Sequence, residues 1–106
     1  MIGGKISAFN LKVYEIVSKI PEGSVMSYGQ VAALAGSPRA SRAVGTAMRF
    51  APEYMDLPCH RVVNKMGDMA PDYAFGGAEA QRERLEEEGV LFNTDGRVDM
   101  EKSQYN

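Results

Sequence analysis

Three consecutive residues, Gly36-Ser37-Pro38, separate two short helical patterns and limit what the chain can fold into. Before them, Ser27-Tyr28-Gly29-Gln30 has the S-x-x-Q form of a capping box, which predicts a helix start. Gly36 offers the left-handed conformation that ends such a helix. Ser37 as an N-cap and Pro38 at the first helical position then predict a second helix over about residues 39–50. Two helices joined by so tight a turn predict a helix-turn-helix.

The remaining sequence has the pattern of a small, mainly helical domain. Residues 21–23 end a first helical pattern, whose apolar positions are Phe9, Val13, Ile16 and Ile20. Residues 56–63 predict a tight turn followed by a short extended run, and residues 64–77 predict a loop. Residues 79–88 predict a charged helix, after which residues 90–98 predict a small hairpin or an extended tail.

The composition excludes several classes of protein. The chain has 106 residues, which fits one domain, and it contains one cysteine and one histidine. One cysteine cannot form an internal disulfide, and these two residues cannot supply the four ligands of a structural zinc. No apolar run approaches the about 18 residues of a membrane span, and the N-terminus lacks a signal-peptide pattern. We expect a cytoplasmic, monomeric domain over residues 1–106 with no metal, cofactor or membrane partner.

The charge is distributed unevenly along the chain. Residues 1–51 carry six basic and two acidic side chains, although the whole chain has a net charge of −2. Residues 23–52 contain no Asp or Glu, and their only charged residues are Arg39, Arg42 and Arg49. A surface with arginines and no acids suits a polyanion, although chance clustering of three arginines gives the same pattern.

We expect a mainly α fold with a winged helix-turn-helix-like DNA-binding motif and a minor β or extended tail.

The second helix of the predicted pair has two faces. Its inward face consists of Ala40, Val44, Ala47 and Ala51, and its other face carries Arg39, Arg42, Thr46 and Arg49. The side chains between them are small, so this helix can approach a duplex closely. Its arginines can then reach phosphates, a groove or a base stack. A small-residue helix packed in the core with solvated arginines fits the pattern equally well.

Four side chains have the chemistry of a reactive site. Tyr28 lies in a first helical turn, where backbone N–H groups favour anions, although half-buried packing also explains a tyrosine there. Cys59 is the only thiol, and the only histidine, His60, follows it. Because adjacent side chains diverge, His60 would act on the thiol through a water and be oriented by a carboxylate. Cys59 packed as a small hydrophobe is the alternative. Glu88 ends three consecutive glutamates that oppose a helix dipole.

Together these residues resemble the C-terminal domain of the O6-alkylguanine-DNA alkyltransferases and the related alkyltransferase-like proteins. The matching segments are Met26-Ser27-Tyr28-Gly29-Gln30-Val31-Ala32, Gly36-Ser37-Pro38-Arg39-Ala40-Ser41-Arg42-Ala43-Val44-Gly45, Pro58-Cys59-His60-Arg61-Val62-Val63-Asn64 and Glu87-Glu88-Gly89-Val90. They occur in the family's order and at nearly its spacing, over about residues 9–92. Such a combination is far more specific than an isolated motif.

The resemblance implies binding in the minor groove of duplex DNA that contains O6-alkylguanine. Arg42 would fill the gap left by a flipped-out guanine, and Tyr28 would crowd the 3′ phosphate and aid the rotation. Flipping is required because an alkyl group inside the stack cannot meet a buried thiol. The other DNA-contacting residues that the resemblance implies are Ser37, Arg39, Ala43, Gly45, Thr46 and Arg49.

The resemblance also implies the chemistry. Cys59 would accept the alkyl group irreversibly, with its proton drawn through a water by His60, which Glu88 would hold by a hydrogen bond. The Tyr28 hydroxyl could protonate N3 of the leaving guanine. The base pocket would be lined by Val62, Tyr73, Phe75 and Gly76. From this resemblance we expect a single-turnover methylated-DNA–[protein]-cysteine S-methyltransferase.

The sequence departs from the family pattern in three ways. An Asn that steadies the active-site turn is replaced by Ala51, the loop over residues 67–77 differs, and the N-terminal domain of full transferases is absent. Alkyltransferase-like members typically have Trp or Ala where this chain has Cys59. They bind alkylated DNA without repairing it and recruit nucleotide excision repair proteins. The alternative function is therefore a lesion sensor with an unused cysteine.

Two further classes fit less well. A helix-turn-helix regulator usually reads the major groove with larger polar side chains, whereas the second helix here is rich in small residues. A cysteine peptidase brings its Cys and His together through the fold and does not place them side by side in sequence.

Overall fold

Three helices build the first half of the fold because their apolar residues repeat with the helical period. The computed structural model describes residues 6–69 and 76–106. In it, α1 spans Ala8–Ser18, α2 spans Tyr28–Leu34 and α3 spans Ser41–Arg49. Their fully buried side chains meet in one core cluster that includes Val13, Val17, Val31 and Val44. The predicted first helix and the helix pair are confirmed.

The end of α2 explains the sharp turn of the helix pair. Gly36 adopts a φ of +89°, the left-handed conformation that the sequence predicts for it. Its N–H donates to the carbonyl of Ala33 at 3.0 Å, and the N–H of Ser37 donates to the carbonyl of Ala32 at 2.9 Å. These two bonds satisfy carbonyl groups that the helix end would otherwise leave without donors.

The start of α3 differs from the prediction. The helix begins at Ser41 and not near residue 39, and its N-cap is Ala40, which has no capping side chain. Ser37 is occupied in closing α2, and its carbonyl accepts the N–H of Ala40 at 2.9 Å. The connection is therefore a longer turn in which Pro38 and Arg39 lie before the helix.

A second core cluster lies beside the first. The strands β1 (Met26–Ser27) and β2 (Val62–Val63) pair in parallel, with Met26 opposite Val62. Helix α4 spans Ala78–Glu87, and a short α5 spans Met100–Ser103. The buried side chains of this cluster are Val25, Val63, Leu85, Val90 and Val98.

The second half of the prediction is confirmed for the charged helix and the hairpin, whereas residues 70–75 of the predicted loop lie outside the described residues. The charged helix is α4, and Phe92 and Val98 form the antiparallel bridge of the small hairpin. The structure adds β1 and α5, which the sequence pattern did not reveal. No helix within residues 6–69 or 76–106 is long and apolar enough to cross a membrane. The fold is thus mainly α, with a helix-turn-helix and little β structure.

The capping box at α2 is only half formed. The Ser27 hydroxyl accepts the N–H of Gln30 at 3.0 Å, as predicted. The Gln30 side chain, however, binds the C-terminal segment instead of returning to Ser27. Its Nε2 donates to the carbonyl of Tyr105, and its Oε1 accepts from Gln104 Nε2 at 2.6 Å. The segment after α5 is therefore attached to the start of the helix pair.

Candidate functional site

The outer face of α3 presents the predicted DNA-contacting residues together. Arg42, Ala43, Thr46 and Arg49 are all exposed on this helix, and Arg39 is exposed in the turn before it. Ser37 is half-buried in the same turn. The Thr46 hydroxyl donates to the carbonyl of Arg42 at 3.2 Å, which keeps that side chain close to the helix. A helix face that carries arginines separated by small side chains can lie against a phosphate backbone.

Tyr28 lies against this helix and not apart from it. It is the first residue of α2 and is half-buried. Gly45 of α3 is also half-buried, and a Cβ placed there would lie 3.8 Å from Cε1 of the Tyr28 ring. The Tyr28 ring therefore lies next to the helix that carries the arginines, at ordinary van der Waals distance from position 45.

Cys59 lies at a cleft between the end of α3 and the segment that follows it. Cys59 begins the 3-10 turn Cys59–Arg61, which leads directly into β2. The cleft has a volume of about 330 Å³. Its described lining consists of Cys59 with the apolar Met48, Ala51, Pro52 and Leu57 and the acidic Glu53 and Asp56. Burial raises the pKa of the Cys59 thiol, which outweighs the opposite effect of Arg84.

His60 follows Cys59 in the 3-10 turn, and its side chain contacts Glu88, the residue at the end of α4. It is 3% exposed, and its Nε2 lies 2.7 Å from Oε2 of Glu88. Its other ring nitrogen, Nδ1, is buried and has no hydrogen-bond partner among the described residues. A carboxylate accepts hydrogen bonds only, so a neutral imidazole held this way carries its proton on Nε2. Nδ1 is then the nitrogen with a free lone pair.

Arg61 fixes the carboxylate that holds His60. Its Nε and Nη2 each lie 2.9 Å from an oxygen of Glu88, and its Nη1 donates to the carbonyl of Ile20 at 2.7 Å. The hydrogen bond from Arg61 is the main reason that the pKa of Glu88 falls to about 2. Burial lowers the pKa of His60, which outweighs the hydrogen bond from Glu88 that raises it. At neutral pH the pair is therefore a carboxylate and a neutral imidazole.

Two of these positioning residues were not predicted from the sequence. Arg61 is part of the matching segment, but its side chain had no assigned role. Gln81 is fully buried on α4, and its Nε2 donates to the carbonyls of His60 at 2.9 Å and Val62 at 3.2 Å. Gln81 shares one helix face with Leu85 and Glu88 by its spacing, and this periodicity was the signal that could have identified it.

The structure describes two of the four predicted base-pocket residues, Val62 and Gly76. Val62 is fully buried in β2, and it is not among the described residues that line the Cys59 cleft. Gly76 is exposed just before α4, with a φ of +86°. Tyr73 and Phe75 lie outside the described residues. Within the described chain, no group of His, Cys, Asp and Glu side chains is arranged to hold a metal ion.

The lowered pKa values of Glu88 and His60 predict loss of stability in acid. Folding lowers the pKa of Glu88 from 4.5 to about 2 and that of His60 from 6.5. The contribution of the two groups to the free energy of unfolding is complete at pH values above their ordinary pKa values. It is lost as the pH falls, first for His60 and then between pH 4.5 and about 2 for Glu88. The pKa shift of Glu88 corresponds to about 3 kcal/mol, which solvent screening at this half-buried carboxylate reduces to about 2 kcal/mol.

Urea unfolding from pH 7 to pH 2 measures this loss. We expect Glu88→Gln to reduce the acid dependence of the free energy of unfolding, because the variant lacks the titrating carboxyl group. Glu87→Gln removes an exposed neighbouring carboxylate and is the matched control, so its profile should follow that of the wild type. Equal acid profiles for wild type and Glu88→Gln would contradict the prediction.

Comparison with known proteins shows which family this chain resembles. Residues 8–90 match the family model of the 6-O-methylguanine DNA methyltransferase, DNA binding domain. The chain is 43% identical over 105 residues to a DNA base-flipping protein of Escherichia coli K12, covering 96% of this chain and 78% of that protein. It is 40% identical to the methylated-DNA–protein-cysteine methyltransferase of Rattus norvegicus, over 74% of this chain and 37% of the rat protein.

A solved structure shows the same fold over nearly the whole chain. It is the crystal structure of S. pombe Atl1 in complex with damaged DNA containing O6-carboxymethylguanine, with a TM-score of 0.79 and 33% identity. The match covers 97% of this chain and 99% of that one. The resemblance found in the sequence is thus confirmed, and the chain belongs to the family defined by the DNA-binding domain of the 6-O-methylguanine DNA methyltransferases.

Proposed function

We propose that this protein flips O6-alkylguanine out of duplex DNA and transfers the alkyl group to Cys59. The bond between the alkyl carbon and Sγ forms as the bond between that carbon and O6 breaks. The thiol proton passes through a water to Nδ1 of His60, and the departing guanine anion takes up a proton at N3 from the Tyr28 hydroxyl. The His60 imidazolium and the Tyr28 phenolate then return to their neutral forms by proton exchange with solvent. The thioether product is stable, so each molecule reacts once.

The single observation that carries this proposal is the hydrogen-bonded pair of His60 and Glu88, in which His60 directly follows the half-buried Cys59 along the chain. The pKa of the Cys59 thiol is raised, so the thiol needs a base to become a nucleophile near neutral pH. His60 is held at Nε2 by an ionised Glu88, and its Nδ1 has no partner among the described residues. An imidazole fixed at one nitrogen and open at the other is the arrangement that a general base requires.

The DNA-binding part of the proposal rests on α2 and α3. Arg42 is exposed on the face of α3 that carries no acid, where it can enter the space of an extruded base. Tyr28 packs beside Gly45 on the same side of the molecule. The related E. coli protein is a base-flipping protein by name, and the similar Atl1 structure contains DNA with an O6-modified guanine. The first relative supports DNA as the partner, and the second supports DNA with an O6-modified guanine.

A second candidate function is a lesion sensor that binds O6-alkylguanine without transfer and presents it to nucleotide excision repair proteins. Two observations favour it. The base-flipping protein of E. coli matches over 78% of its length, whereas the rat methyltransferase matches over 37%. Ala51 lines the Cys59 cleft where the resemblance implies a stabilising Asn. Ala51 can make no side-chain hydrogen bond to steady the turn that carries the cysteine.

Intact-protein and peptide mass spectrometry distinguishes the two functions. The protein is mixed with an equimolar duplex that contains one O6-methylguanine, and lesion binding is measured in parallel. We expect the peptide with Cys59 to gain one methylene group and the guanine to be restored. An unchanged protein mass while the lesion is bound would contradict transfer and support the sensor. No preference for the lesion over an undamaged duplex would contradict both functions.

A further inference from the structure

Two exposed acidic residues, Glu53 and Asp56, are among the described residues that line the cleft containing Cys59. Glu53 begins the 3-10 turn Glu53–Met55, and Asp56 ends it. Asp56 is the one non-glycine residue of the described chain with a positive φ, +45°. The other lining residues are apolar, and the described lining contains no basic side chain. Among the residues that the structure describes, the lining of this cleft is therefore acidic at two positions and otherwise uncharged.

From this lining we propose that Glu53 and Asp56 select O6-alkyl groups by charge, which rests on the proposed function. The cleft would accept alkyl groups whose far end is neutral or cationic, and would disfavour those that end in a carboxylate. Carboxylates accept hydrogen bonds and do not donate them, so an adduct that ends in an amide or hydroxyl donor can bind them. An adduct that ends in a carboxylate meets two like charges without a donor between them.

The nearest opposing influence is Arg84 on α4. Its charge lowers the pKa of the Cys59 thiol, so it acts on the sulfur, but it is not part of the described cleft lining. If Arg84 dominated the field in the cleft, carboxylate-bearing adducts would be favoured instead. Control of the cleft by Glu53 and Asp56 therefore predicts a preference for neutral adducts, whereas control by Arg84 predicts a preference for carboxylate-bearing adducts.

The test uses four duplexes that differ only at one guanine. That base is unmodified, O6-methylated, O6-carboxymethylated or O6-carbamoylmethylated, and the last two groups have nearly the same shape but differ in charge. Affinities are measured for the wild-type chain and for Cys59→Ala, in which binding is not consumed by transfer. Because Glu53 and Asp56 are exposed to solvent, we expect the carbamoylmethyl duplex to bind about 3- to 10-fold more tightly than the carboxymethyl duplex.

Substitution identifies the source of this preference. In the double variant Glu53→Gln with Asp56→Asn, the two affinities should come within about twofold while the affinity for O6-methylguanine is retained. Asn tolerates a positive φ well, so the second substitution preserves the turn. Glu101→Gln removes an exposed carboxylate of α5 and is the control, which should keep the wild-type ratio. Higher salt should reduce the ratio by screening.

The possible failures are distinct. Equal affinities for the two adducts, tighter binding of the carboxymethyl duplex, or a ratio unchanged in the double variant would overturn the charge selection while O6-methylguanine is still preferred over guanine. No preference for O6-methylguanine would overturn the proposed function itself, and the charge selection with it. Thermal unfolding of each variant shows whether the fold is retained.

Discussion

Cys59→Ala is expected to form no alkylated protein at all with a duplex that contains O6-methylguanine, while it binds that duplex within about threefold of the wild type. Cys59 is the only thiol of the chain, so its loss removes the only strong sulfur nucleophile. The arginine-bearing face of α3 is built from other residues and should remain. Intact mass spectrometry measures transfer, and fluorescence anisotropy of the labelled duplex measures binding.

Cys59→Ser provides the matched control for this experiment. It keeps the size and polarity of the side chain, but a hydroxyl is a much weaker nucleophile than a thiolate near neutral pH. We expect it to behave like the alanine variant in transfer and like the wild type in binding. Transfer that persists in either variant would show that another residue accepts the alkyl group. Loss of both transfer and lesion binding would show that Cys59 shapes the pocket as well as reacting in it.

The local signals in the sequence predicted the helix pair because each acts over a few residues. Gly36 ends α2 in the conformation that its lack of a side chain permits. The start of α3 was predicted wrongly because Ser37 and Pro38 have the residue types of an N-cap and a first helical position, yet both lie in the turn. The carbonyl of Ser37 accepts the N–H of Ala40, and Ala40 then precedes the helix without a capping side chain. Residue types favour a helix start there, but they do not fix how many residues the turn uses.

Contacts between residues far apart in the sequence could be predicted only in part. The resemblance implied that Glu88 holds His60, and the two are hydrogen-bonded across 28 positions of the chain. The bidentate contact of Arg61 with Glu88 and the contacts of Gln81 depend on how α4 packs against the 3-10 turn, which no local pattern encodes. The attachment of Gln30 to the C-terminal segment is of the same kind, since its partners lie more than 70 positions away.

His60→Gln is expected to slow transfer by about 10²- to 10⁴-fold at pH 7, the usual contribution of a positioned general base. A glutamine amide can still donate a hydrogen bond to Glu88, so Arg61 and the carboxylate keep a partner in the buried network. It cannot take a proton from the thiol. Single-turnover rates from quenched samples, analysed by mass spectrometry, measure the effect, and Glu87→Gln should transfer at the wild-type rate.

The pH profile separates the loss of a base from a structural disturbance. The pKa of His60 is lowered, so the imidazole is already neutral at pH 7 and the wild-type rate should change little above about 6.5. In His60→Gln the thiolate must form without help, and because burial raises the pKa of Cys59, the rate should rise about tenfold per pH unit through the alkaline range. A variant that merely disturbed the site would be slow at every pH. A rate within about threefold of the wild type at pH 7, or parallel pH profiles, would show that His60 does not act as the base.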